Sequence, residues 1–179
     1  MLPREERYKV ENMVLVGLIP GPKEASTNEM NYYLRPLVDE LMDLYKGISI
    51  DIHSCPGVLV CAALLIVTYN ILAARKTCGF TFHNSTNVCH RCNRHFYRFK
   101  GTTIVDYSRF KFSEWVGQTK AENLEHATIW KNTKSAAAQK TLELANGVCW
   151  SELHRLFYFE LVQSTIIVSM HNLFLGTAK

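Results

Sequence analysis

A chain of 179 residues with 47% hydrophobic and 20% charged side chains can bury a core of one ordinary domain, which excludes an intrinsically disordered segment. Its formal charge of +4 permits a polyanionic partner without demanding one. The opening MLPREER is charged and unlike a secretory signal, so the six cysteines are expected in a reducing compartment, where clustered Cys and His hold metal.

Residues 1–12 are expected to be irregular or an edge. Residues 13–19 (MVLVGLI) form a short apolar run stopped by Pro20-Gly21-Pro22, the pattern of a buried strand entering a tight loop. Ser26-x-x-Glu29 fits a capping box, and Met30, Tyr33, Leu34, Leu37, Val38, Leu41, Leu44 and Tyr45 follow at helical spacing until Gly47. Pro36 requires that helix to start near Tyr33 or to kink. Residues 48–52 alternate as a short strand does, and Pro56-Gly57 is expected to turn the chain into a central apolar run. Residues 59–67 read as a strand covered on both faces, followed by a short helix through Ile71, Leu72, Ala74, Arg75 and Cys78. Residues 55–74 carry no charge and have the length of a membrane span. Pro56-Gly57, the polar Thr68, Tyr69 and Asn70, and a β-branched centre argue against one, and no membrane partner is expected.

The densest chemistry follows. Cys78-x4-His83-x5-Cys89-x2-Cys92 has the residue types and spacing of a structural zinc site, because thiolates three residues apart on a turn can share one tetrahedral ion. His90 and His95 compete with His83 for the fourth place. Cys55, Cys61 and Cys149 lie among apolar neighbours and read as buried small hydrophobes. From Arg91 to Lys100 the chain is basic and aromatic together, with Arg91, Arg94, Arg98 and Lys100 among His95, Phe96, Tyr97 and Phe99. Cations interleaved with rings can grip phosphates and stack on bases, or can simply flank and cap the metal site.

Residues 106–115 read as a loop with buried aromatic anchors. Thr119-x-x-Glu122 is a second capping box, opening one long polar helix to about residue 146, with Gly147 as its stop. Its thin apolar stripe marks an insertion outside the main core. Residues 151–159 suggest a short aromatic helix or turn, 165–168 another apolar strand, and 170–176 the start of a helix. No GxSxG, GxGxxG or P-loop pattern appears, and neither His154 nor His171 has an evident nucleophile, so no small-molecule substrate is expected.

RYKVENMVLVGLIPGPKE (7–24), AARKTCGF (73–80), CHRC (89–92), DYSRF (106–110) and MHNLFLGTAK (170–179) together resemble the transposase core of CACTA (En/Spm-type) DNA transposons, in the form common in fungal genomes. The resemblance implies an α/β fold: a partial RNase H-like core (7–77 and 160–179) with a zinc knuckle and basic flank (78–100) and a helical insertion (101–159). It also implies a nuclear setting, transposon-end DNA as substrate and a DDE/D site. Such sites hold Mg²⁺ on carboxylates at strand ends.

Two of the carboxylate positions the resemblance predicts are vacant. Asn70 stands where the central strand should end in Asp, and Val168 where Asp should precede Met170-His171. The Asp-Gly strand expected upstream and the acidic helix expected downstream lie outside this chain, and Asp51, Asp106 and Glu160 stand elsewhere. Leu72 and Phe157 occupy expected prolines. The chain thus reads as a degenerate transposase fragment, stabilised by zinc and without cutting activity. The alternatives are one piece of an active Mg²⁺-dependent transposase, or a domesticated zinc-stabilised DNA-binding module.

Overall fold

A computed structural model describes residues 3–7, 9–82, 84–108 and 110–168. In chain order these form helix α1 (Thr27–Lys46), strands β1 (Ile48–Ile52), β2 (Cys55–Val60) and β3 (Val67–Tyr69), and helix α2 (Ile71–Cys78). Strands β4 (Tyr97–Arg98) and β5 (Val105–Asp106), helices α3 (Lys120–Asn132), α4 (Ala136–Asn146) and α5 (Leu161–Ser164), and strand β6 (Thr165–Ile167) follow. The strands make three two-stranded sheets: β1 with β2 and β4 with β5 antiparallel, β3 with β6 parallel. The architecture is mixed helix and small sheets.

Both predicted capping boxes are present. Ser26 and Glu29 exchange bonds at the start of α1, and Thr119 and Glu122 do so at the start of α3. Gly47 and Gly147 follow α1 and α4 at positive φ of 98° and 73°. The helix α1 runs through Pro36 from Thr27 to Lys46, so the Tyr32 carbonyl lacks its usual i+4 donor. Its Leu34 and Val38 enter a core shared with Val67, Cys78, Phe80, Leu153, Leu156, Phe159 and Leu161. The side chain of Asn31 fastens α1 to the later segment, donating to the Trp150 carbonyl (3.1 Å) and accepting from the Glu152 amide (2.8 Å).

The structure departs from several local expectations. The apolar run 13–19 forms no strand and has no strand partner among the described residues. Val14, Leu15 and Leu18 stay more than four-fifths exposed. A cleft of about 580 Å³ separates residues 16–19 from Leu37, Tyr69 and Ala73. Extended backbone becomes a strand only when a neighbour takes up its amides and carbonyls, and apolar content alone supplies none.

The single strand expected over 59–67 is divided. Residues 55–60 pair back on β1, the Ala62 amide bonds the Leu44 carbonyl at 3.0 Å, and only 67–69 join β6. Pro56-Gly57 is a bulge opposite Asp51 rather than the turn; Asp51 Oδ1 accepts from the Gly57 amide at 2.8 Å, and His53-Ser54 make the turn. The hairpin faces water, which leaves Cys55 and Cys61 exposed, whereas Cys149 is buried as predicted. The long helix is two helices, because Thr133 ends α3 and Ser135 caps a fresh start for α4. Tyr107, Phe110, Phe112 and Trp115 are exposed rather than buried anchors. No helix among the described residues is long and apolar enough to cross a membrane.

Candidate functional site

Strands β3 and β6 run side by side with Tyr69 opposite Ile167, and the Val168 amide donates to the Tyr69 carbonyl at 3.1 Å. Asn70 and Val168 therefore follow directly on the carboxyl ends of two adjacent parallel strands. This is where side chains from separate strands can converge on one ligand. Asn70 Oδ1 accepts from the Ala73 amide at 2.9 Å and so caps α2. Val168 offers no side-chain oxygen. Asp51 sits in the β1–β2 bulge, Asp106 accepts from Ser108 beside β5, and Glu160 precedes α5. A neutral amide already engaged in a cap and a hydrocarbon do not fit a pair of hard cations that require several carboxylate oxygens.

The thiol turn is built differently. Cys89 and Cys92 lie in hydrogen-bonding contact, and the Cys92 sulfur also accepts from the Arg94 amide and the Trp115 indole N–H. Residues 116–118 brace the turn from outside: the Asn93 amide bonds the Val116 carbonyl (3.1 Å), and the Gln118 amide bonds the Arg91 carbonyl (3.0 Å). Burial first, and Cys89 next, push the Cys92 thiol up to about 11, against the two N–H donors. N–H donors aimed at a sulfur favour its anionic, metal-binding form.

Cys78 is not brought into this group. It lies fully buried in the core beside the Thr165 hydroxyl, with burial pushing its thiol up to about 12. His83 falls outside the described residues. His90 approaches the Thr165 carbonyl through Nε2 (3.2 Å), which makes that nitrogen a donor. His95 Nδ1 meets Asn87 Oδ1 at 3.1 Å. Asn87 gives its own N–H bonds to the Leu144 and Ala145 carbonyls, so His95 donates from Nδ1 and keeps the Nε2 lone pair. Among the described residues no three His, Cys, Asp or Glu side chains are grouped to hold a metal, so the turn alone offers two ligands.

Arg75 was legible only as part of a helical pattern, yet it is central here. It is 4% exposed, donates from Nη1 to the Thr81 carbonyl (2.6 Å) and from Nη2 to the Val88 carbonyl, and its buried Nε has no partner. This buried cation with an orphaned N–H lies within electrostatic reach of Cys89. The turn supplies two of the four ligands that a structural zinc ion takes.

The predicted basic residues have assorted partners. Arg91 bonds Gln163 (2.8 Å) and Arg94 pairs with Glu114 (3.1 Å). Arg98 donates to the Thr103 carbonyl and to the Asn84 carbonyl (3.3 Å), and Lys100 is exposed at the tip of the β4–β5 hairpin. Around them stand Tyr97, Phe99, Tyr107 and Phe112, half or more of each in water apart from Phe99 at 49%. The basic, aromatic pattern of 91–100 already named Tyr97 and Phe99, whereas Tyr107 and Phe112 were expected as buried anchors, because exposed rings in an irregular segment look the same as buried ones.

A family model described as Transposase family tnp2 matches residues 1–143, a span that takes in α1, β3, α2, the thiol turn, the β4–β5 hairpin and α3. The match ends before β6 and Val168. No curated protein and no solved structure matches the chain. The chain is thus a transposase-family protein. More narrowly, it belongs to the tnp2 transposase family.

Proposed function

We propose that this chain is the core fragment of a CACTA-type, cut-and-paste DNA transposase that has lost strand cutting and keeps a zinc-stabilised surface for DNA. The observation that carries the reading is the adjacency of Asn70 and Val168 at the ends of β3 and β6. That is the arrangement an RNase H-like core uses for acids, here filled by an amide and a hydrocarbon. Cys89 and Cys92 are the two zinc ligands that the turn supplies, with His83 and His95 as further candidates; the ion's work is to fix the turn. Nuclear DNA is the expected setting.

The test is an incubation of the unmodified protein with transposon-end DNA and Mg²⁺, expected to give no strand breakage. Breakage would overturn the loss of activity. In a longer reading frame that supplies the remaining acid, Asn70→Asp with Val168→Asp is expected to restore nicking, which separates a decayed enzyme from a chain that never cut.

The exposed rings around β4 and β5 favour a second reading in which DNA binding is the surviving function. It predicts an affinity that falls steeply with salt, and a shallower slope when Arg98 and Lys100 are replaced by Gln. Fluorescence anisotropy with labelled single- and double-stranded DNA at several salt concentrations measures both; an affinity independent of salt removes this reading.

A further inference from the structure

Residues 91–115 concentrate both cations and rings. They carry six of the chain's 20 Lys and Arg (Arg91, Arg94, Arg98, Lys100, Arg109 and Lys111) against two of its 16 Asp and Glu (Asp106 and Glu114), so the whole formal charge of +4 resides there. Phe96, buried, is the floor of one ring cluster: Tyr107 meets it edge-on at 5.2 Å and Phe110 stacks at 6.2 Å. Phe112 and Trp115 form a second, stacked at 6.5 Å, and Glu114 between them takes Arg94 (3.1 Å) and Lys111 (3.4 Å). The Phe99 amide bonds the Ile104 carbonyl at 3.0 Å, which continues the β4–β5 ladder past Arg98 and puts Tyr97 and Phe99 on one face of the hairpin. Phe112 and Tyr97 leave 80% and 66% of themselves in water.

Exposed apolar side chains scattered singly mean little, but a set of rings inside the segment that holds the net charge suits a partner both anionic and flat. In a duplex each base face is covered by its neighbours, and a side chain reaches only base edges and phosphates. An unpaired strand offers the faces themselves. We propose that residues 91–115 bind single-stranded DNA, the bases stacking on Tyr97, Phe99 and the Phe112–Trp115 pair and the phosphates meeting Lys100 and Lys111. The inference rests on the DNA-binding reading given above and names the form of DNA that surface takes. Stacking tolerates any base, so the binding has little sequence preference.

The test is fluorescence anisotropy of the full chain with a labelled oligothymidylate and with a duplex of the same length, across several salt concentrations. The single strand is expected to bind about tenfold or more tightly than the duplex. Phe112→Ala and Tyr97→Ala are each expected to cost about 5- to 100-fold on the single strand, the loss of one stacked base, and to leave duplex affinity within about twofold. Phe112→Leu keeps an apolar side chain without a π-face and is expected to lose single-strand affinity as Phe112→Ala does. Equal affinity of the unmodified chain for the two forms, or ring variants that weaken both alike, overturns the inference and leaves DNA binding standing. Binding that is undetectable or independent of salt with both forms removes the DNA-binding reading and the inference with it. Where circular dichroism shows an alanine variant unfolded, Phe112→Leu decides: unchanged single-strand affinity overturns the inference, and a loss confined to the single strand supports it.

Discussion

His154 shows how one side chain ties two parts of the chain together and makes the fold sensitive to acid. Asn123 donates through Nδ2 to Gln118 Oε1 (3.0 Å), so its Oδ1 faces His154 Nε2 (2.9 Å) as an acceptor. His154 therefore carries a proton on Nε2, while Nδ1 meets both the Ser151 amide (3.1 Å) and the Ser151 carbonyl (2.9 Å). Burial, the dominant cause, pulls the imidazole down to about 4 from its ordinary 6.5. The unfolded chain takes up a proton near 6.5 and the folded chain only near 4, so stability drops as pH falls through that window. The loss from this group is about 3 kcal/mol at most. His90, also pulled down to about 4 chiefly by burial, adds a loss of the same sign. Denaturant unfolding between neutral pH and about pH 4 is expected to show the decline, and His154→Gln a shallower slope with lower stability at neutral pH. An equal slope in the variant counts against this account.

Among elements, those specified by neighbouring residues were readable and those specified by distant partners were not. Capping boxes, glycine stops and the helix α2 involve contacts within a few positions, so Ser26, Glu29, Thr119, Glu122 and Gly147 announced themselves. Residues 165–167 were likewise recognisable as a strand. Residues 13–19 have the composition of a strand and lack a partner among the described residues, and residues 61–66 lie between two sheets instead of inside one. The break between α3 and α4 was available in principle, since Ser135 is a good N-cap in mid-pattern, but the surrounding polar residues gave no second cue. Ser135 Oγ accepts from the Ala138 amide at 3.5 Å, and α4 buries none of its side chains. Ser135→Ala is expected to destabilise α4 by about 1 kcal/mol. Hydrogen exchange should show this as faster amides in Ala136–Asn146, with protection in α1 unchanged.

For the molecule as a whole, the core joins residues between 34 and 80 to residues 153–161. The helices α1 and α2 pack against residues 153–161, while α3 contributes no side chain to that core and joins through the Gln118, Asn123 and His154 bonds. The candidate site was legible in its residue types but not in its grouping. The pair Cys89 and Cys92 needed only a turn, whereas the burial of Cys78 and the reach of Arg75 depend on packing that spacing does not encode. The place held by Asn70 has a broader consequence. A helix start tolerates an acid and its amide almost equally, so exchanging one for the other there leaves α2 and everything beneath it undisturbed. Selection for a well-folded product is blind to such an exchange, and on the function proposed above a lineage sheds its chemistry at this point while its shape persists.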